Sequence, residues 1–167
     1  SGCPDATAEN PTVARGWQCA LTVPRELSMR DGKLCQQPAH EIERMRGDCV
    51  RATGGETVEE PGRLFDVVVS CEGAKMVELE IRKGVFVRYA DGMLTLDMGD
   101  EGYGRDQRSI ELSELRDLRV LSDTTMVEIF ANGGEAALTS RTYSPAVPAM
   151  GLHAESAASM DFYRLAH

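Results

Sequence analysis

Three tight-turn signals constrain the fold more than any other feature of this chain. Asp31-Gly32 separates Ala20–Arg30 from Lys33–Gln37, Asp91-Gly92 separates Val85–Ala90 from Met93–Asp97, and Asn132-Gly133-Gly134 separates Met126–Ala131 from Ala136–Thr142. Such turns need positive φ at their central residues, which Gly, Asn and Asp tolerate, and between β-rich runs they mark hairpins. Further short runs rich in Val, Ile, Phe and Thr lie at Leu64–Cys71, Met76–Ile81, Leu118–Leu121 and Met160–Leu165. No stretch keeps a 3.6-residue apolar period for three turns, so the reading is all-β with little helix: a two-sheet antiparallel β-sandwich.

Within that frame the first twelve residues predict an irregular lead-in, and Pro24, which cannot donate to a ladder, marks an edge or a bulge. His40–Met45 predicts one helical turn, and Gly47–Pro61, dense in Gly and Glu, predicts a loop. In Met126–Phe130, strict alternation puts Val127 and Ile129 on the core face and Glu128 in water.

Charge narrows the partners. Lys and Arg number 18 against 27 Asp and Glu, a net charge of −9, which repels phosphate backbones and anionic lipid alike. Uninterrupted apolar runs such as Val67–Val69 are far short of the about 20 residues that span a bilayer. Neither nucleic acid nor membrane is expected as a partner. Five cysteines, an odd number without any Cys-x-x-Cys pair, suggest free thiols in a reducing cytoplasm and not a disulfide framework or structural zinc. A first residue Ser1 in place of Met suggests a piece of a longer polypeptide.

No catalytic, cofactor or metal set is expected within the chain. His40-Glu41 opens like a zinc-protease helix, but position 44 is Arg where a second His would share the metal. His153 and His167 have no triad signature around them. The acidic loop Asp97–Asp106 lacks calcium-loop spacing and reads as a solvated hairpin loop, and its Gly102-Tyr103-Gly104 lacks the helix and Lys of a phosphate cradle.

Several segments together resemble the C-terminal sandwich of glycoside hydrolase family 32, the invertase and sucrose-6-phosphate hydrolase family. Gly16-Trp17-Gln18-Cys19-Ala20-Leu21-Thr22-Val23-Pro24-Arg25-Glu26-Leu27 is similar to that family's passage from propeller to sandwich, continued by Asp31–Pro38. Leu118–Asp123, Val127–Ala136 and Thr139–Arg141 resemble its late strands. The resemblance implies a concanavalin-like sandwich over residues 16–167, residues 1–15 as the remnant of a linker, and a five-bladed β-propeller of the same polypeptide that carries a retaining two-carboxylate mechanism. That family's Asp-Pro-Asn-Gly, Arg-Asp-Pro and Glu-Cys motifs do not occur here; Arg30-Asp31, Arg105-Asp106 and Arg116-Asp117 are followed by Gly, Gln and Leu, and Cys71-Glu72 is reversed. The chain alone is therefore expected to be inactive. Two roles follow from the resemblance: a structural module that steadies the propeller and contributes to a homo-oligomer, or a module that binds fructan or sucrose. Aromatic content of 5% weighs against the second, since sugar platforms use exposed aromatic faces. Trp17, Leu21, Val23, Arg25 and Glu26 are expected at the domain interface, with Trp17 as a plug between domains.

Overall fold

In the computed structural model, which describes residues 10–155 and 157–166, each of the three turn signals closes a hairpin. The strands in chain order are β1 (Arg25–Arg30), β2 (Lys33–Pro38), β3 (Arg46–Thr53), β4 (Thr57–Glu59), β5 (Phe65–Ser70), β6 (Met76–Arg82) and β7 (Val85–Ala90). They continue as β8 (Met93–Asp97), β9 (Gln107–Glu111), β10 (Asp117–Ser122), β11 (Met126–Ala131), β12 (Ala136–Arg141), β13 (Ala149–Ala154) and β14 (Ser159–Leu165). Helix among the described residues is limited to 3₁₀ turns at Pro11–Arg15, His40–Met45 and Gly99–Gly102.

Two six-stranded sheets form a sandwich, one in the order β12-β11-β10-β5-β14-β3 and the other β4-β13-β6-β7-β8-β9, with antiparallel pairing throughout. Alternate residues of each strand supply the core: Val67, Val120 and Ile129 of the first sheet, and Leu79, Val87 and Leu96 of the second, are all fully buried. Phe65 and Phe162 meet there with ring centroids 5.6 Å apart. Each such side chain contributes about 1.5–3 kcal/mol by leaving water, which makes this layer the main source of stability. The hairpin β1–β2 stands apart as a two-stranded ribbon that joins neither sheet.

Two expectations are corrected. Gly47–Pro61 is not a loop but holds most of β3 and all of β4. β3 is an edge strand paired only with β14, and Ala52 is its one buried residue, so it has no apolar alternation to betray it. β9 and β13 also form strands outside the runs recognised in the sequence; β9 is likewise an exposed edge, and Gly151 and His153 interrupt the apolar pattern of β13. The second correction concerns β11, every residue of which is buried, Glu128 included. Its outer face is covered by the chain's own N-terminal segment.

One end of the sandwich is closed by a buried cation. Arg82 is fully buried where β6 bulges against β7, and its guanidinium crosses to the other sheet. It donates to Ser122 Oγ at 2.8 Å, to the carbonyls of Thr124 and Ser144 at 3.2 Å each, and to Asp123 O. Burial lowers its pKa to about 10, which leaves it charged at neutral pH. Replacing Arg82 by Met should cost about 2–4 kcal/mol, because these acceptors lose their donor inside the protein. Lys should restore only part of the loss, since an ammonium lacks the planar five-donor fork. Urea denaturation followed by circular dichroism measures both, and a loss for Arg82→Met under about 1 kcal/mol would contradict the clamp.

Candidate domain interface

The outer face of the first sheet carries two buried carboxylates, and both are met by arginines of the N-terminal segment. Glu128 is 3% exposed and Asp66 is wholly buried. A carboxylate in such a place must be paired and hydrogen-bonded, or its desolvation is uncompensated. Glu128 Oε2 accepts from Arg25 Nη2 at 2.6 Å, and Oε1 accepts the Val23 backbone N–H at 2.7 Å. Arg25 also donates to Thr139 Oγ1 at 2.7 Å and lies 5.1 Å from the Phe130 ring centroid. Asp66 accepts from Arg46 Nε at 2.8 Å and from Arg119 Nη2 at 2.7 Å, while Arg46 stacks 4.4 Å from the Tyr163 centroid. Residues 23–46 are thus pinned at both ends, with the ribbon and the His40–Met45 turn between.

The ribbon has a second seat. Gln36 N–H donates to Gly134 O at 2.9 Å, Gln37 Nε2 donates to Gly133 O at 2.6 Å, and Lys33 pairs with Glu135. Gly133 and Gly134 have φ of 63° and 90°, and a Cβ on Gly134 would run into the Gln36 backbone. The turn therefore needs glycine both to close the β11–β12 hairpin and to let β2 approach.

Of the expected interface residues, Leu21 and Val23 line one apolar groove and Arg25 reaches its wall at Glu128, while Trp17 and Glu26 lie elsewhere. Val23 and Arg25 converge on Glu128. Trp17 is 41% exposed and its ring centroid lies 5.3 Å from the guanidinium of Arg141, which also binds Gln18 O and reaches Thr12 Oγ1 at 3.3 Å. Leu21 is 95% exposed on the apolar groove, which it lines with Val23, Ile42, Met45, Leu121 and Leu165. Glu26 is turned away toward His40. The sequence reading missed Glu128, Asp66, Arg46 and Arg141. A usable signal was present for Asp66: a single acid inside an otherwise unbroken apolar run, Phe65-Asp66-Val67-Val68-Val69, demands a partner.

The other candidates for chemistry are dispersed. His153 is exposed on β13, and His167 lies outside the described residues. In the acidic loop Asp97 pairs with Arg88, and Met98 N–H donates to Asp106 O at 2.8 Å. Cys19 and Cys49 are exposed free thiols, and Cys35 and Cys71 are buried ones; burial pushes Cys71 up to about 11. Glu26, His40 and Glu41 cluster at the surface, where His40 Nδ1 lies 2.7 Å from Glu26 Oε1.

That last contact sets a pH dependence. The hydrogen bond from His40 holds the Glu26 carboxyl below its ordinary 4.5, and the same bond raises His40 above its ordinary 6.5. The His40 contribution is complete below the unfolded imidazole value and is lost as pH rises through the raised one. The Glu26 contribution is present above the unfolded carboxyl value and is lost as pH falls through the lowered one. The pair therefore helps most between pH 4.5 and 6.5. An NMR titration should place the His40 midpoint above 6.5, and Glu26→Gln should bring it back down; an unchanged midpoint would contradict the pairing.

Comparison with known proteins agrees with this fold. Residues 76–165 match the family model described as "Glycosyl hydrolases family 32 C terminal". A raffinose invertase of Escherichia coli is 36% identical over 154 residues, covering 81% of this chain and 32% of that protein. A probable sucrose-6-phosphate hydrolase of Vibrio cholerae is 31% identical, covering 97% of this chain and 31% of that protein. Among solved structures, sucrose-6-phosphate hydrolase from Lactobacillus gasseri superposes with a TM-score of 0.83 at 18% identity, over 99% of this chain and 37% of that one. The exo-inulinase of Aspergillus awamori gives 0.70 at 19% identity, over 90% and 36%. This chain spans about a third of the length of these relatives. With the sandwich, the late-strand motifs and the family model in agreement, the chain belongs to glycoside hydrolase family 32, as that family's C-terminal domain.

Proposed function

We propose that this chain is the structural C-terminal module of a β-fructosidase, and that its docked N-terminal segment and apolar groove face a catalytic propeller in the same polypeptide. The observation that carries the reading is the contrast between a fully buried core and an uncovered apolar side: Leu21, 95% exposed, and Met45, also exposed, line one apolar groove with Val23, Ile42, Leu121 and Leu165. Large contiguous apolar patches are uncommon on native monomers and mark interaction sites. The substrates proposed for the complete enzyme are sucrose or its 6-phosphate, after the names of the relatives that match. A reducing cytoplasm belongs to the same reading and rests on the four free thiols among the described residues. Homo-oligomer formation through the module would be an additional use of the same exposed face.

Leu21→Ser tests this reading. In the 167-residue chain it should change unfolding stability by less than about 0.5 kcal/mol, because the side chain touches little there. In the complete polypeptide it should lower the melting temperature and the half-life of sucrose hydrolysis on heating; equal behaviour of variant and parent would contradict the interface. The chain alone should leave sucrose and sucrose-6-phosphate intact. Calorimetric titration with inulin should show no heat of binding, and saturable binding would instead favour a carbohydrate-binding module.

A further inference from the structure

The glycine turn that seats the ribbon also holds the parts of a chemical reaction. Asn132 is followed by glycine, and the chain's only other asparagine, Asn10, is followed by proline. A backbone nitrogen attacks the carboxamide of a preceding asparagine only if it bears a proton and no side chain hinders it. Pro11 has no N–H, whereas Gly133 has one and lacks a Cβ. In the attack a bond forms between Gly133 N and Asn132 Cγ, and the bond from Cγ to Nδ2 breaks. The Gly133 proton ends on the departing nitrogen, which leaves as ammonia, and water then opens the cyclic imide to aspartate or isoaspartate.

The fold keeps these groups from meeting. Asn132 is 2% exposed. Its Oδ1 accepts the Arg116 N–H at 2.8 Å and its Nδ2 donates to Glu114 O at 2.9 Å, which ties the carboxamide to residues 114–116. The nucleophile is tied as well, since Gly133 N–H donates to Asp117 Oδ1 at 2.9 Å. The ribbon closes over the turn: Gln37 Nε2 donates to Gly133 O at 2.6 Å and Gln36 N–H to Gly134 O at 2.9 Å, while the Arg30 guanidinium fills the space that a Cβ on Gly133 would need.

We propose that Asn132 is a modification site guarded by the ribbon: it converts to aspartate or isoaspartate when the ribbon lifts from the turn, and the conversion then keeps the ribbon from reseating. Ring closure requires the carboxamide to give up both of its bonds and swing toward Gly133, a movement the seated ribbon blocks. Both products work against the seat. An aspartate at this position sets an acceptor against Glu114 O where a donor stood, inside the protein and next to a turn already bound by the Asp117 carboxylate. An isoaspartate adds a methylene to the backbone of the turn, within two residues of the point where Gly134 meets the Gln36 backbone.

Mass spectrometry of the intact 167-residue chain, kept at mildly alkaline pH, tests the proposal, because each conversion adds one mass unit and Asn132 is the one asparagine able to react. The folded chain should convert at least about 100 times more slowly than the chain held unfolded in urea. Gln37→Ala, which removes the hydrogen bond over Gly133, should speed conversion of the folded chain about fivefold while leaving its far-UV circular dichroism unchanged. Lys33→Ala, which breaks the pair with Glu135, loosens the seat independently and should act in the same direction. Converted chain, separated by its added negative charge, should exchange the Gln36 amide about tenfold faster than the parent, and Asn132→Asp should do the same. Equal conversion rates in the folded and unfolded chain would overturn the guard. Rates in both ribbon variants equal to the parent's would overturn the part assigned to the ribbon, and unaltered Gln36 exchange after conversion would overturn the loss of the seat.

Discussion

The pairing of Glu128 with Arg25 and the Val23 amide decides how the N-terminal third of this protein is arranged. Without that pairing, a carboxylate on the outer side of β11 would belong in water, and the strand would have one wet face. With it, the charge is buried at 3% exposure, and burial without a partner would cost several kcal/mol. The cost runs both ways: Glu128 requires the segment, and the segment, with few core contacts of its own, requires Glu128. At the other end Asp66, already paired within its sheet by Arg119, also takes Arg46, so that residues 23–46 are carried on the sheet like a strap.

The core beneath is built separately from this strap, which meets the sandwich on its outer face. Its core is a continuous layer of Val, Leu, Ile and Phe between two six-stranded sheets, closed at one end by Arg82. Stability is therefore unevenly distributed: high in the paired inner strands, lower in a ribbon held by the ion pairs Arg25–Glu128, Lys33–Glu135 and Arg46–Asp66 and a glycine turn. Such a division suits a module whose inner part supplies rigidity and whose outer part meets another domain. It also accounts for the location of the exposed apolar side chains, several of which lie on residues 13–45 and the ribbon.

The sequence disclosed what local rules govern. Asp-Gly and Asn-Gly-Gly turns, and alternation in β5, β7 and β10, follow from backbone sterics and one-sided burial, so hairpins and most inner strands were legible. β3 was not, because an edge strand with both faces wet has no alternation, and its glycines and acids imitate a loop. Glu128 was misread for the opposite reason: alternation correctly put it on the outer face, but nothing local says that a segment about 100 residues earlier covers that face. The interface residues were named from resemblance, and the geometry divides them into Leu21, Val23 and Arg25 around the groove and Glu128, Trp17 on Arg141, and Glu26 on His40. Long-range pairing of charges is the part that periodicity cannot express.

The most direct test of this account is a double-mutant cycle between Arg25 and Glu128, with Arg25→Met, Glu128→Gln and the pair combined. Urea unfolding can be followed through Trp17, the single tryptophan, which lies just ahead of the strap against Arg141. If the buried pair holds the strap, each single change should cost about 3 kcal/mol and the double change clearly less than their sum, giving a coupling of about 2–4 kcal/mol. A coupling under about 0.5 kcal/mol, the value of an ordinary surface ion pair, would contradict it.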